Sequence, residues 1–101
     1  MLAEVAVYTN LVDGARVAPA SGETYEKRNP WAPDEVVGRF PLSDATDVDA
    51  AVTAAARAFE SWSRLPFQAR AAVLNAAAAL VDERAETIAS DMTREMGKPV
   101  R

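Results

Sequence analysis

The side chains able to do chemistry in these 101 residues are carboxylates, hydroxyls and one Gly-Lys pair, because the chain has neither cysteine nor histidine. Asp44, Asp47 and Asp49 stand close enough in sequence to suggest an acid-base or cation cluster. Their place at the start of a helical pattern gives a simpler account: carboxylates there cap the first turn and meet the positive end of the helix dipole. Ser61 and Ser63 are the hydroxyls to consider as nucleophiles, but no histidine is available as base and neither lies in a strained strand-to-helix turn. Gly97-Lys98 has the look of a phosphate loop. In that motif the pair opens a helix after a strand, whereas here it closes one and Pro99 follows, so a C-cap is the better reading. Trp31 and Trp62 have rings that stack on planar ligands. Trp62 falls on an apolar helix stripe and is assigned to packing, as are Met92 and Met96, while Trp31 lies in a loop. Glu83 and Glu86 flank a helix junction and are read as solvated.

The elements that would position these groups change character near residue 43. Before it the chain reads as short strands between turn signals. Asp13-Gly14 tolerates positive φ and suits a two-residue hairpin turn between residues 11–12 and 15–17. After a break at residues 19–22, residues 23–26 alternate as a half-buried strand. Asn29-Pro30 ends it, and with a second proline at Pro33 residues 29–35 are expected to form a loop. Residues 36–40 form the next strand, closed by Pro41.

From Ser43 onward the period is helical. Thr46 and Asp49 match a capping-box spacing, and Val48, Ala51, Val52, Ala55, Phe59 and Trp62 recur at three and four to form one apolar stripe. Pro66 suits the first turn of a second helix, whose wide stripe includes Leu65, Ala69, Val73, Leu74, Ala76 and Leu80. A third helix carries Ile88, Met92 and Met96 and ends at Gly97 and Pro99. The three helices are expected over about 47–63, 66–82 and 84–96, after strands over about 8–40. Alanine in the first two should let neighbouring backbones approach closely.

Composition bounds the function. Half of the residues are hydrophobic and 26% charged, the balance of a globular protein. A net charge of -4 and a pI near 4.7 argue against nucleic acid and anionic membrane surfaces as partners. Residues 1–9 lack the basic start of a secretion signal and are expected to be retained. No apolar run approaches the ~20 residues of a membrane span, so a soluble, cytoplasmic protein is expected.

The order of the pieces says more than any one of them. The hairpin at Val12-Asp13-Gly14, then Ser21-Gly22-Glu23-Thr24-Tyr25, Asn29-Pro30 and Glu35-Val36-Val37-Gly38 resemble the opening of the aldehyde dehydrogenase superfamily. The helical half is similar to that family's first three helices: Asp47-Val48-Asp49-Ala50-Ala51-Val52 through Ala58-Phe59 to Trp62, then Arg70-Ala71-Ala72-Val73-Leu74, then Glu95-Met96-Gly97-Lys98-Pro99. The likeness runs from Val12 to Val100. One departure is Trp31-Ala32-Pro33-Asp34-Glu35, where the family has a shorter, glycine-containing turn.

The resemblance implies an α+β segment of the larger α/β aldehyde dehydrogenase fold: N-terminal β-hairpins followed by three amphipathic helices, with residues 1–101 as the amino-terminal portion. It implies an enzyme that oxidises an aldehyde to a carboxylic acid with NAD or NADP, through a cysteine thiolate and a glutamate-activated water. Those parts belong to family sequence beyond the point matching Val100, so no catalytic or cofactor-binding residue is assigned. The chain alone is expected to be inactive and to bind neither NAD nor NADP. Some family members hold a structural monovalent cation, and the matching positions are Lys27 and Arg28, by backbone carbonyl, and Glu95. Full-length members form homo-oligomers. The chain is therefore expected to be a fragment whose helices leave apolar faces exposed when alone. The alternative is a non-catalytic interaction module that docks on a full-length enzyme or another partner.

Overall fold

The computed structural model describes residues 4–99. The readings that touch Met1, Val100 and Arg101 lie outside the described residues. Two antiparallel hairpins precede three helices: β1 (Asn10–Val12), β2 (Ala15–Val17), β3 (Thr24–Asn29), β4 (Ala32–Pro41), α1 (Ala45–Trp62), α2 (Phe67–Glu83) and α3 (Ala85–Met96). The first hairpin turns on Asp13 (φ 52°) and Gly14 (φ 73°), both left-handed. That geometry matches the twist of the strands it joins, here paired Val12 to Ala15 and Asn10 to Val17.

The second hairpin corrects the expected loop over 29–35. Its β3 continues to Asn29 and β4 already starts at Ala32, leaving only Pro30 and Trp31 in the turn. Pro33 fits because the register jumps between Arg28↔Val36 and Asn29↔Ala32. Residues 33–35 bulge from the ladder, so the missing N–H of Pro33 removes no cross-strand bond. A second shift at Lys27/Arg28 passes over Val37. The amino-terminal segment lies along the hairpin edge, where the Tyr8 amide donates to the Arg39 carbonyl and the Arg39 amide to that of Ala6, both at 2.8 Å. Tyr8 stacks on Phe40 with ring centroids 4.8 Å apart. Gly38 makes room for this, since a Cβ there would stand 2.7 Å from Tyr8 Cε2.

The first helix begins two residues earlier than its Thr46–Asp49 signal suggests. Asp44 is the cap: its Oδ1 accepts from the Thr46 amide at 2.9 Å and the Asp47 amide at 3.3 Å, while Asp47 Oδ2 accepts from the Asp44 amide at 2.9 Å. An Asp three residues after another Asp closes the box as well as the Thr-led pattern, and it does so first along the chain. Asp44 and Asp47 are thus capping groups. Pro66 precedes α2 as its N-cap residue, and Gly97 (φ 75°) ends α3 in the left-handed conformation that glycine adopts without a Cβ clash.

Very little of this surface is covered. Among the described residues Pro19, Val37 and Gly38 alone are buried, with Val37 at 8% exposure. Met92 and Met96, assigned to packing, are exposed in the chain alone, whereas Trp62 is half-buried; the stripe residues Val48, Val52 and Phe59, the last at 65%, are exposed as well. The close approach expected from alanine is also missing, because α1 leans on β1 and α3 on β3 and α2, while α1 and α2 barely meet. The accessible surface is 8251 Å², against about 5,500 Å² by size scaling for a folded monomer of 10.8 kDa. The radius of gyration is 17.2 Å, where a compact domain of this length has about 13 Å. Amphipathic helices without facing layers produce both numbers.

Candidate functional site

The densest polar junction joins the tip of the β3–β4 hairpin to the end of α3. Glu35, in the bulge of β4, receives Asn29 Nδ2–H on Oε2 at 2.9 Å and Arg94 Nε–H on Oε1 at 2.8 Å. Asn29 also organises the turn, its Oδ1 accepting from the Trp31 amide at 2.9 Å. Trp31 Nε1–H then reaches across to donate to the Gly97 carbonyl at 2.9 Å. The indole thereby satisfies one of the carbonyls that a helix end leaves without an internal partner. Thr93 Oγ1 donates to the Lys98 carbonyl and holds the chain beyond the cap.

The electrostatics follow from these bonds. The Asn29 side-chain amide, and after it the Arg94 guanidinium, hold the Glu35 carboxyl below its ordinary range. Glu35 in turn raises Arg94. Asp47 is also lowered, first by the Asp44 amide and then by the Ala20 amide, whose N–H donates to Asp47 Oδ1 at 2.9 Å. That second bond ties the link between the hairpins to the start of α1.

The positions singled out for a cation meet at the same junction only in part. Lys27 and Arg28 lie on β3 at the two register shifts, where the ladder is interrupted, and Glu95 lies half-buried in the last turn of α3, which packs on β3. The Arg28 guanidinium is turned back onto the hairpin, donating to the Pro33 carbonyl and to Glu26 Oε2, both at 2.9 Å. Among the described residues no three His, Cys, Asp or Glu side chains cluster as a metal site.

Nor do the residues present fit a dinucleotide. A pyrophosphate cradle needs glycines between a strand and a helix N-terminus. Here Gly14 and Gly22 serve turns, Gly38 lies in β4, and Gly97 closes a helix. The N-terminus of α1 is already filled by two carboxylates, which would repel phosphate. The junction ties the tip of the β3–β4 hairpin to the end of α3. Glu35 and Arg94, 59 residues apart, were not marked by any local motif, and neither was the Asp47–Ala20 bond.

The comparisons with known proteins agree with the order of elements. Residues 17–101 match the model of the aldehyde dehydrogenase family. The chain belongs to that family. It is 47% identical over 89 residues to the N-succinylglutamate 5-semialdehyde dehydrogenase of Burkholderia orbicola, covering 88% of this chain and 18% of that enzyme. The enzyme of the same name from Burkholderia lata is 46% identical over the same share. Among solved structures, an NAD-dependent aldehyde dehydrogenase from Sinorhizobium meliloti superposes with a TM-score of 0.90 at 37% identity, over 96% of this chain and 20% of that one. An aldehyde dehydrogenase of Mycobacterium tuberculosis, solved with NAD+, gives 0.84 at 35%. The chain thus spans about a fifth of the length of these relatives. The segment is α+β, part of the larger aldehyde dehydrogenase fold, and among the described residues no helix is long and apolar enough to cross a membrane.

Proposed function

We propose that this chain forms the amino-terminal hairpin-and-helix layer of an NAD(P)-dependent aldehyde dehydrogenase that converts an aldehyde to a carboxylic acid. The observation that carries the reading is the 0.90 superposition over 96% of the chain on one fifth of a solved enzyme of this class. The layer's role is structural: it presents apolar helix faces to the rest of the fold, which supplies thiolate, base and cofactor site. On this reading the isolated chain is inactive and binds no NAD or NADP. The shared name of the Burkholderia relatives favours a semialdehyde of an acylated amino acid as the substrate of the whole enzyme. The assembled enzyme is cytoplasmic and homo-oligomeric. Carbonyls released at the β3 irregularity, with Glu95, are proposed to hold a monovalent cation there.

The test is a graft. This chain replaces the matching segment of the Sinorhizobium meliloti enzyme, and NADH formation from an aldehyde is followed for the chimera and for the isolated chain. The chimera is expected to turn over and the chain is not. A chimera that fails to fold, or an isolated chain that reduces NAD free of contaminating enzyme, would refute the reading. The alternative role, as a module docking on a complete enzyme, predicts instead stoichiometric co-purification with an intact dehydrogenase.

A further inference from the structure

A cleft opens where α2 departs from α1, lined by Trp62, Phe67, Arg70, Ala71, Leu74 and Asn75. Arg70 is half-buried, and its Nε is shielded from solvent without a hydrogen-bond partner among the described residues. Among the described residues no carboxylate lines the cleft. Around it Phe67 and Leu74 turn most of their apolar surface outward. A half-buried guanidinium whose Nε lacks an acceptor among the described residues, set beside exposed apolar groups, is the pattern of one side of an interface whose other side is acidic.

We propose that this cleft receives a carboxylate-bearing apolar segment from the remainder of the aldehyde dehydrogenase fold, with Arg70 as the anchor. The inference rests on the structural role proposed above, since four-fifths of the solved relative's chain lies outside the part matched here. Charge complementarity sets the chemistry of the occupant. A planar guanidinium presents paired N–H donors that match the two oxygens of a carboxylate, and flanking rings exclude the water that would weaken the pair. Phe67 and Leu74 pack against apolar neighbours of that carboxylate.

The graft described above supplies the test. Arg70→Met keeps the length and apolar stem of the side chain but removes the fork; Arg70→Lys keeps the charge alone; exposed Arg57→Met on α1 is the control. Arg70→Met is expected to shorten the chimera's half-life at a fixed denaturing temperature by about ten- to a hundredfold, because it strands a buried carboxylate. Arg70→Lys should fall between, and Arg57→Met should match the parent. A crystal structure of the chimera should place a carboxylate oxygen within about 3.2 Å of an Arg70 nitrogen. Equal half-lives for parent and Arg70→Met, or an Arg70 facing solvent or only a backbone carbonyl, would overturn the proposal while leaving the structural role intact. A parent chimera that does not fold removes that role and this inference together.

Discussion

Substituting Gly97 tests the clasp between hairpin and helix most directly. Its φ of 75° is left-handed, which costs a residue with a Cβ about 1 kcal/mol. A Cβ there would also fall 2.8 Å from Trp31 Cδ1 and closer still to Nε1, so the indole must move and give up its bond to the Gly97 carbonyl. Losing that bond adds about 1 kcal/mol, and the displaced ring accounts for up to about 1 more. The sum, roughly 2–3 kcal/mol, corresponds to roughly 30- to 140-fold faster amide exchange in the last turn of α3. Hydrogen exchange read by mass spectrometry on the grafted enzyme measures this without requiring global unfolding. In a Trp31→Ala background the left-handed cost remains with only a 3.3 Å approach to Pro30 Cγ beside it, so Gly97→Ala should then accelerate exchange by about fivefold. Equal effects of Gly97→Ala in the two backgrounds would refute the coupling.

Three further outcomes follow from the same geometry. Glu35 and Asp47 both titrate below their ordinary values in the folded chain, so their stabilising effect is complete above about pH 5 and disappears as pH falls through the depressed values. Glu35→Gln should therefore flatten the acid limb of a melting-temperature profile of the graft, and an unchanged limb would contradict the assignment. Asp44→Ala removes the acceptor half of the α1 capping box and should cost about 1 kcal/mol in the graft's chemical denaturation, whereas Asp49→Ala, which has no capping bond, should cost little. The isolated chain should bind a hydrophobic dye and self-associate on sizing columns because of its uncovered helix stripes; a monodisperse monomer that binds no dye would count against the structural role.

Local features were legible in the sequence because local chemistry produces them. Asp13-Gly14 requires positive φ wherever it turns a hairpin, and Gly97 before Pro99 stops a helix in any context. The second hairpin was misread because two prolines argue for a loop, and only the paired partner strand shows that Pro33 sits in a bulge where no N–H is needed. The cap was displaced because Asp-x-x-Asp and Thr-x-x-Asp overlap in the same stretch, and hydrogen-bond geometry alone chooses between them.

Periodicity fixes which residues of each helix form an apolar stripe, but a stripe says only that something must cover it. The sequence by itself determined the first hairpin, three helices, their stops and the family they resemble. The tertiary structure decided that α1 and α2 do not cover one another, that Glu35 and Arg94 meet across 59 residues, and that Arg70 Nε lacks an acceptor among the described residues. The physical reason is one of range. Caps, turns and periods depend on atoms a few residues apart, whereas burial and ion pairing depend on which distant surfaces come together, and that is set only when the chain packs in three dimensions.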